Sequence, residues 1–140
     1  MSRSDTRPEF RNINAFTDLP SYRLPAAGWV SILHRVSGAL MFILLPFIIW
    51  MFDTSISSEI SFAKFRAFFN VGMLGMFAKL VALALLWAYL HHLFAGLRHL
   101  RMDVDHKAVS KSFSKKSAVF VLVASTSLTV LLGAKLFGLY

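Results

Sequence analysis

Three apolar runs, each about as long as a bilayer is thick, leave this 140-residue chain little choice of fold. A helix needs roughly 20 mostly apolar residues to cross the hydrocarbon core. With no water there to satisfy backbone N–H and C=O groups, the chain must satisfy them internally. The first run covers residues 29–52 (WVSILHRVSGALMFILLPFIIWMF) and is nearly all apolar from Val36 onward. Pro46 inside it predicts a kink, tolerable in a membrane because neighbouring groups can satisfy the freed carbonyl. The second run covers residues 69–97, with Lys79 expected to snorkel to one interface while Arg98 marks the other. The third covers residues 118–137, with Lys135 and Tyr140 at its far end as interfacial anchors. The fold expected is an all-α membrane protein of three transmembrane helices, forming one domain over residues 29–140.

The rest of the chain fits that frame. At 56% hydrophobic residues, the composition is too apolar for an ordinary soluble domain. Residues 1–28 are polar and contain Pro8, Pro20 and Pro25, which predicts an irregular arm. In the connector at 53–67 and just beyond it, Phe62, Phe65, Phe68 and Phe69 recur at helical spacing, which predicts an interfacial amphipathic turn. The net charge of +8 suits nucleic acid in principle, but the basic residues flank the apolar runs. That distribution encodes topology and not a phosphate-binding face, so no nucleic-acid partner is expected. Arg3, Arg7, Arg11, Arg23 and Arg35 precede most of the first span. Arg98, Arg101, Lys107, Lys111, Lys115 and Lys116 lie between the second and third spans, against only Lys64 and Arg66 in the other connector. By the positive-inside rule the N-terminus and the second loop are cytoplasmic and the C-terminus external. The first apolar run starts too late for a cleavable signal peptide, and Asp5 and Glu9 among the early arginines argue against a mitochondrial presequence. A bacterial cytoplasmic (inner) membrane is the expected home. Cysteine is absent, which excludes disulfides, thiolate metal sites and a cysteine nucleophile within the chain.

Two polar clusters carry the chemistry. Ser31, His34 and Arg35 lie in SILHRVSG at the start of the first span; His91, His92, Arg98 and His99 lie in HHLFAGLRHL at the end of the second. The topology puts both at the same membrane depth, and ionisable groups there usually mark function or pairing. Ser31, His34 and Arg35 share one side of a helix at i, i+3 and i+4, and Gly38 continues the stripe, allowing close approach of a flat ligand or a helix. His92 shares a face with Leu85, Ala88, Gly96 and His99. Neutral imidazole binds haem iron well, but His91 and His92 point about a hundred degrees apart, and spacing alone does not choose between them. Histidines near a helix end also meet water or headgroups simply. Arg98, His99 and Arg101 suit interface anchoring, Trp29, Trp50 and Trp87 suit belt or packing positions, and Asp103, Asp105 and His106 read as a solvated loop before a metal site.

SILHRVSG, a span, and then His92, Gly96, Leu97, Arg98, His99 and Asp103 in the pattern H-x-x-x-G-L-R-H-x-x-x-D resemble the family of cytochrome b556 anchor subunits of succinate dehydrogenases. The Arg7-Pro8 pair in the N-terminal arm is similar to that family too, whereas the segment from Glu9 to Leu24 departs from its pattern. The resemblance implies a helical bundle completed by a second membrane-anchor subunit, docking an iron–sulfur subunit and a flavoprotein subunit. It implies His92 as axial ligand of a shared haem b. It also implies Ser31 and Arg35 as the quinone-binding pair, with ubiquinone as substrate, and His34, with Arg35, Arg98 and His99, near the haem propionates. His99 shares the His92 face, so the second axial ligand is expected from the partner anchor, with His34 as the fallback within the chain. No flavin or nucleotide motif is present, so the chain alone is expected to lack dehydrogenase activity. The other readings are a haem-free anchor and an unrelated small membrane subunit.

Overall fold

The computed structural model of the chain describes residues 14, 16–18 and 21–140. The expectations for Arg3, Asp5, Arg7, Pro8, Glu9, Arg11 and Pro20 lie outside the described residues. Within them the regular structure is wholly helical: α1 (Ala26–Ile43), α2 (Leu45–Ile56), α3 (Glu59–Phe68), α4 (Gly72–Val104), a short 3-10 turn (His106–Val109) and α5 (Lys111–Leu136). Three of these, α1, α4 and α5, are long and apolar enough to cross a membrane. The chain is thus an all-α, multi-pass membrane protein.

The first apolar run divides in two. Pro46 has no N–H, so the carbonyl one turn earlier loses its helical donor. The break falls at Leu44 (φ −90°, ψ 9°), and Pro46 sits in the first turn of α2. It is one residue wide: Leu44 N–H still donates to Leu40 O and Ile48 N–H to Leu44 O, both at 3.0 Å. The polar connector is more ordered than an amphipathic turn. It holds the ten-residue α3, started by a reciprocal cap in which Ser61 N–H donates to Ser58 Oγ (3.1 Å) and Ser58 N–H to Ser61 Oγ (2.9 Å). Glu59 in the first turn and Arg66 in the last complement the helix dipole. The phenylalanines pack back on the chain: Phe68 meets Trp50 of α2 edge-on, with ring centroids 5.0 Å apart. The chain then turns into α4 through Gly72, whose φ of +43° is open to glycine without steric cost.

Helix α4 packs against both α1 and α5, which also touch each other. Their shared core is built from Val30, Ala95, Ala118 and Val121. In lipid there is little hydrophobic drive between helices, so small residues that let backbones approach, together with polar links across the interface, carry the association. Three such links leave α4. They run from His91, His92 and Arg98, and they define the site.

A histidine seam between the first two spans

Successive residues on α4 face different neighbours. His92 turns to α1, where its Nδ1–H donates to the backbone oxygen of His34 at 3.0 Å, with Ser37 Oγ 3.3 Å from the same nitrogen. Ser37 itself donates to His34 O at 2.9 Å. A carbonyl can only accept, so in the neutral ring Nδ1 carries the proton and Nε2 keeps its lone pair. The His34 ring stacks on His92, centroids 4.1 Å apart and planes inclined by 26°, and His99 lies 5.2 Å from His34 on its other flank. Gly38 makes this possible: a Cβ there would stand 2.9 Å from His92 Cε1.

His91 turns the other way. It is fully buried, stacked on Trp87, with Nδ1 3.3 Å from Ser125 Oγ on α5. The Ser125 hydroxyl gives its proton to Val121 O at 2.7 Å, so it accepts from His91 Nδ1–H. The Nε2 atoms of His34 and His91 are buried with no partner among the described residues. Of the adjacent pair, His91 ties α4 to α5 inside the bundle, and half-buried His92 lies at the α1 seam. Ser125→Ala would leave a buried N–H unpaired, which costs about 1–3 kcal/mol. A thermal melt of the purified protein should register that loss.

The two sequence clusters are therefore joined, but not all of their members converge. His34, His92 and His99 come together, with Gly38 giving the room. Ser31 is half-buried and Arg35 is exposed, so the three SILHR polar groups divide, histidine inward and arginine outward. Arg98 leaves the seam altogether: its Nε donates to Ser117 Oγ (3.0 Å) and its Nη2 to Ser114 Oγ (2.9 Å), both on α5. Motif spacing does not single out Ser37 or Ser125. For Ser37 the signal was a lone hydroxyl in an apolar stretch, three residues after His34; Ser125 lies in a run of hydroxyls with Thr126, Ser127 and Thr129, which hides its role.

Fold and site together define a three-span helical membrane subunit with a histidine seam between its first two spans. A family model described as succinate dehydrogenase/fumarate reductase transmembrane subunit matches residues 9–132, and the chain belongs to that family. Similar proteins include one from Coxiella burnetii, 33% identical over 116 residues (83% of this chain and 90% of the relative). Another, from Paracoccus denitrificans, is 30% identical over 113 residues (81% and 83%). Both carry the name succinate dehydrogenase cytochrome b556 subunit. The chain is a transmembrane subunit of the succinate dehydrogenase/fumarate reductase type.

Proposed function

We propose that this subunit holds half of a haem b site through His92 and half of a ubiquinone site through Ser31 and Arg35, in a succinate dehydrogenase of the bacterial cytoplasmic membrane. The observation that carries the haem assignment is the bond from His92 Nδ1–H to His34 O at 3.0 Å. Ligating histidines characteristically donate their other ring N–H to a carbonyl or carboxylate, which fixes the tautomer and raises the basicity of the metal-binding nitrogen. His92 Nε2 would thereby be prepared to hold the haem iron, which a neutral imidazole suits. When bound, the haem supplies a one-electron carrier beside the quinone. His34 and His99 line the same seam, where they would lie near the propionates. The stacked His34 and His92 rings, 4.1 Å apart, leave no space for a macrocycle between them, so a further histidine to hold the haem would come from the second anchor subunit and not from His34.

Ser31 and Arg35 suit the quinone end. A quinone carbonyl gains electron density on reduction and takes up protons. A guanidinium stabilises the developing charge and a hydroxyl donates a hydrogen bond to the oxygen. Exposed Arg35 and half-buried Ser31 leave room for a ligand lodged between this chain and a neighbour. Electrons from succinate would arrive through the flavoprotein and iron–sulfur subunits. The arginine and lysine distribution supports a cytoplasmic N-terminus, on the side where such soluble subunits dock.

The test is purification of the assembly followed by a reduced-minus-oxidised absorbance spectrum. A b-type band with co-purified flavoprotein and iron–sulfur subunits is expected; a complex without the band would leave a haem-free anchor. Ser31→Ala and Arg35→Ala are expected to depress quinone reduction by roughly tenfold or more, the scale of losing one preorganised donor. Succinate oxidation by an artificial acceptor should persist. A parallel fall in both activities would trace the effect to assembly.

A further inference from the structure

We infer that the groove between α4 and α5 binds an anionic membrane lipid, its phosphate held by Arg98 and Arg101 and an acyl chain lying along Phe94 and Phe120. The starting point is a charge without a counter-charge among the described residues. Arg98 is 8% exposed, and its two side-chain partners, Ser114 and Ser117, are neutral hydroxyls. A guanidinium has five N–H donors, so capacity remains, and a buried cation in a membrane subunit calls for an anion. One turn on, Arg101 lines the same groove of about 290 Å³, its guanidinium set 4.7 Å over the Phe113 ring.

The polarity of the groove changes along the helices in the order a lipid needs. Arg101 and Phe113 lie at the end nearest the basic α4–α5 connection, and Arg98 and Ser117 come one turn deeper. Phe94 and Phe120 follow, their rings edge to face at 6.4 Å. From Arg101 to Phe94 is seven residues, about 10 Å along the helix. Phe120 is 64% exposed, so the apolar end opens sideways, away from the three-helix core. A free phosphate would satisfy the arginines but make no use of this wall. The site faces α5, not α1, and does not depend on the haem and quinone assignments.

Native mass spectrometry of the detergent-solubilised complex, partly delipidated and then titrated with phosphatidylglycerol or phosphatidylcholine, tests this. Retention of phosphatidylglycerol over phosphatidylcholine is expected. Arg101→Gln should weaken it roughly fivefold, the effect of one basic group at a membrane surface. Phe120→Ser should weaken it while leaving the charges in place. Both residues are exposed, so neither change threatens folding, and Arg98→Gln should add to the loss. Millimolar inorganic phosphate should not displace the lipid. Equal retention of the two lipids, wild-type retention in both Arg101→Gln and Phe120→Ser, or displacement by phosphate would each overturn the proposal.

Discussion

His92→Ala should remove the b-type absorbance of the purified assembly, whereas His91→Ala should keep it. The two imidazoles are neighbours in sequence and have similar hydrogen bonds: each gives its Nδ1 proton to an oxygen on another helix. Their surroundings separate them. His91 is enclosed among helices, with Trp87 against one face, and a macrocycle could reach it only by parting the bundle. His92 sits at the α1 seam. Loss of a hydrogen-bonding partner behind a metal ligand costs 10- to 100-fold in affinity, so loss of the ligand should cut haem per flavin to about a tenth or less. His91→Ala acts elsewhere. It empties a packed volume and should lower stability by about 2–5 kcal/mol, as large-to-small core changes do. Haem per flavin, together with a melting curve, measures both. Equal haem loss in the two variants, or a larger loss in His91→Ala, would remove His92 from its assigned role.

Much of this architecture was legible in the sequence because a bilayer restricts the options so severely. Apolar runs near 20 residues became helices, and the proline in the first became a break whose position follows from its missing N–H. The order of the connector was harder to read. Ser58 and Ser61 form a capping pair without the usual acidic or amide partner, and the packing of Phe68 on Trp50 depends on how α2 and α3 fold back. At the site, motif spacing brought out His34, His92 and His99, which do meet. It could not divide His91 from His92, because that choice depends on where α5 presents Ser125, a contact spanning 34 residues. The same limit applied to Arg98. On a helical wheel it belongs to a polar cluster with His99, but Ser114 and Ser117 draw it to the opposite neighbour. Periodicity gives a residue's direction from its own helix, whereas the identity of the helix met there is a tertiary fact.

Gly38→Val should damage the haem site nearly as much as deleting the ligand, with every imidazole still present. A side chain at position 38 would begin 2.9 Å from His92 Cε1 and 3.3 Å from its Nδ1, inside van der Waals contact. The ring cannot yield sideways at low cost, because Nδ1 is tied to His34 O and one face is covered by the His34 ring. It must either rotate out of the seam or push α1 from α4. Both break the bond that fixes the tautomer, and a 10- to 100-fold fall in haem affinity follows from the usual consequence of that loss. Gly96 provides the control on the facing helix. A Cβ there would meet His34 Nε2 at 3.7 Å, an ordinary contact, and helix propensity favours alanine over glycine by about 1 kcal/mol. Gly96→Ala should therefore bind haem as the parent does, while Gly38→Ala shows the defect in milder form. Haem content across the three variants, with succinate oxidation by an artificial acceptor as the measure of assembly, reads out the difference. If Gly38→Val keeps its full b-type band, the close fit of α1 on His92 is not what aims the ligand.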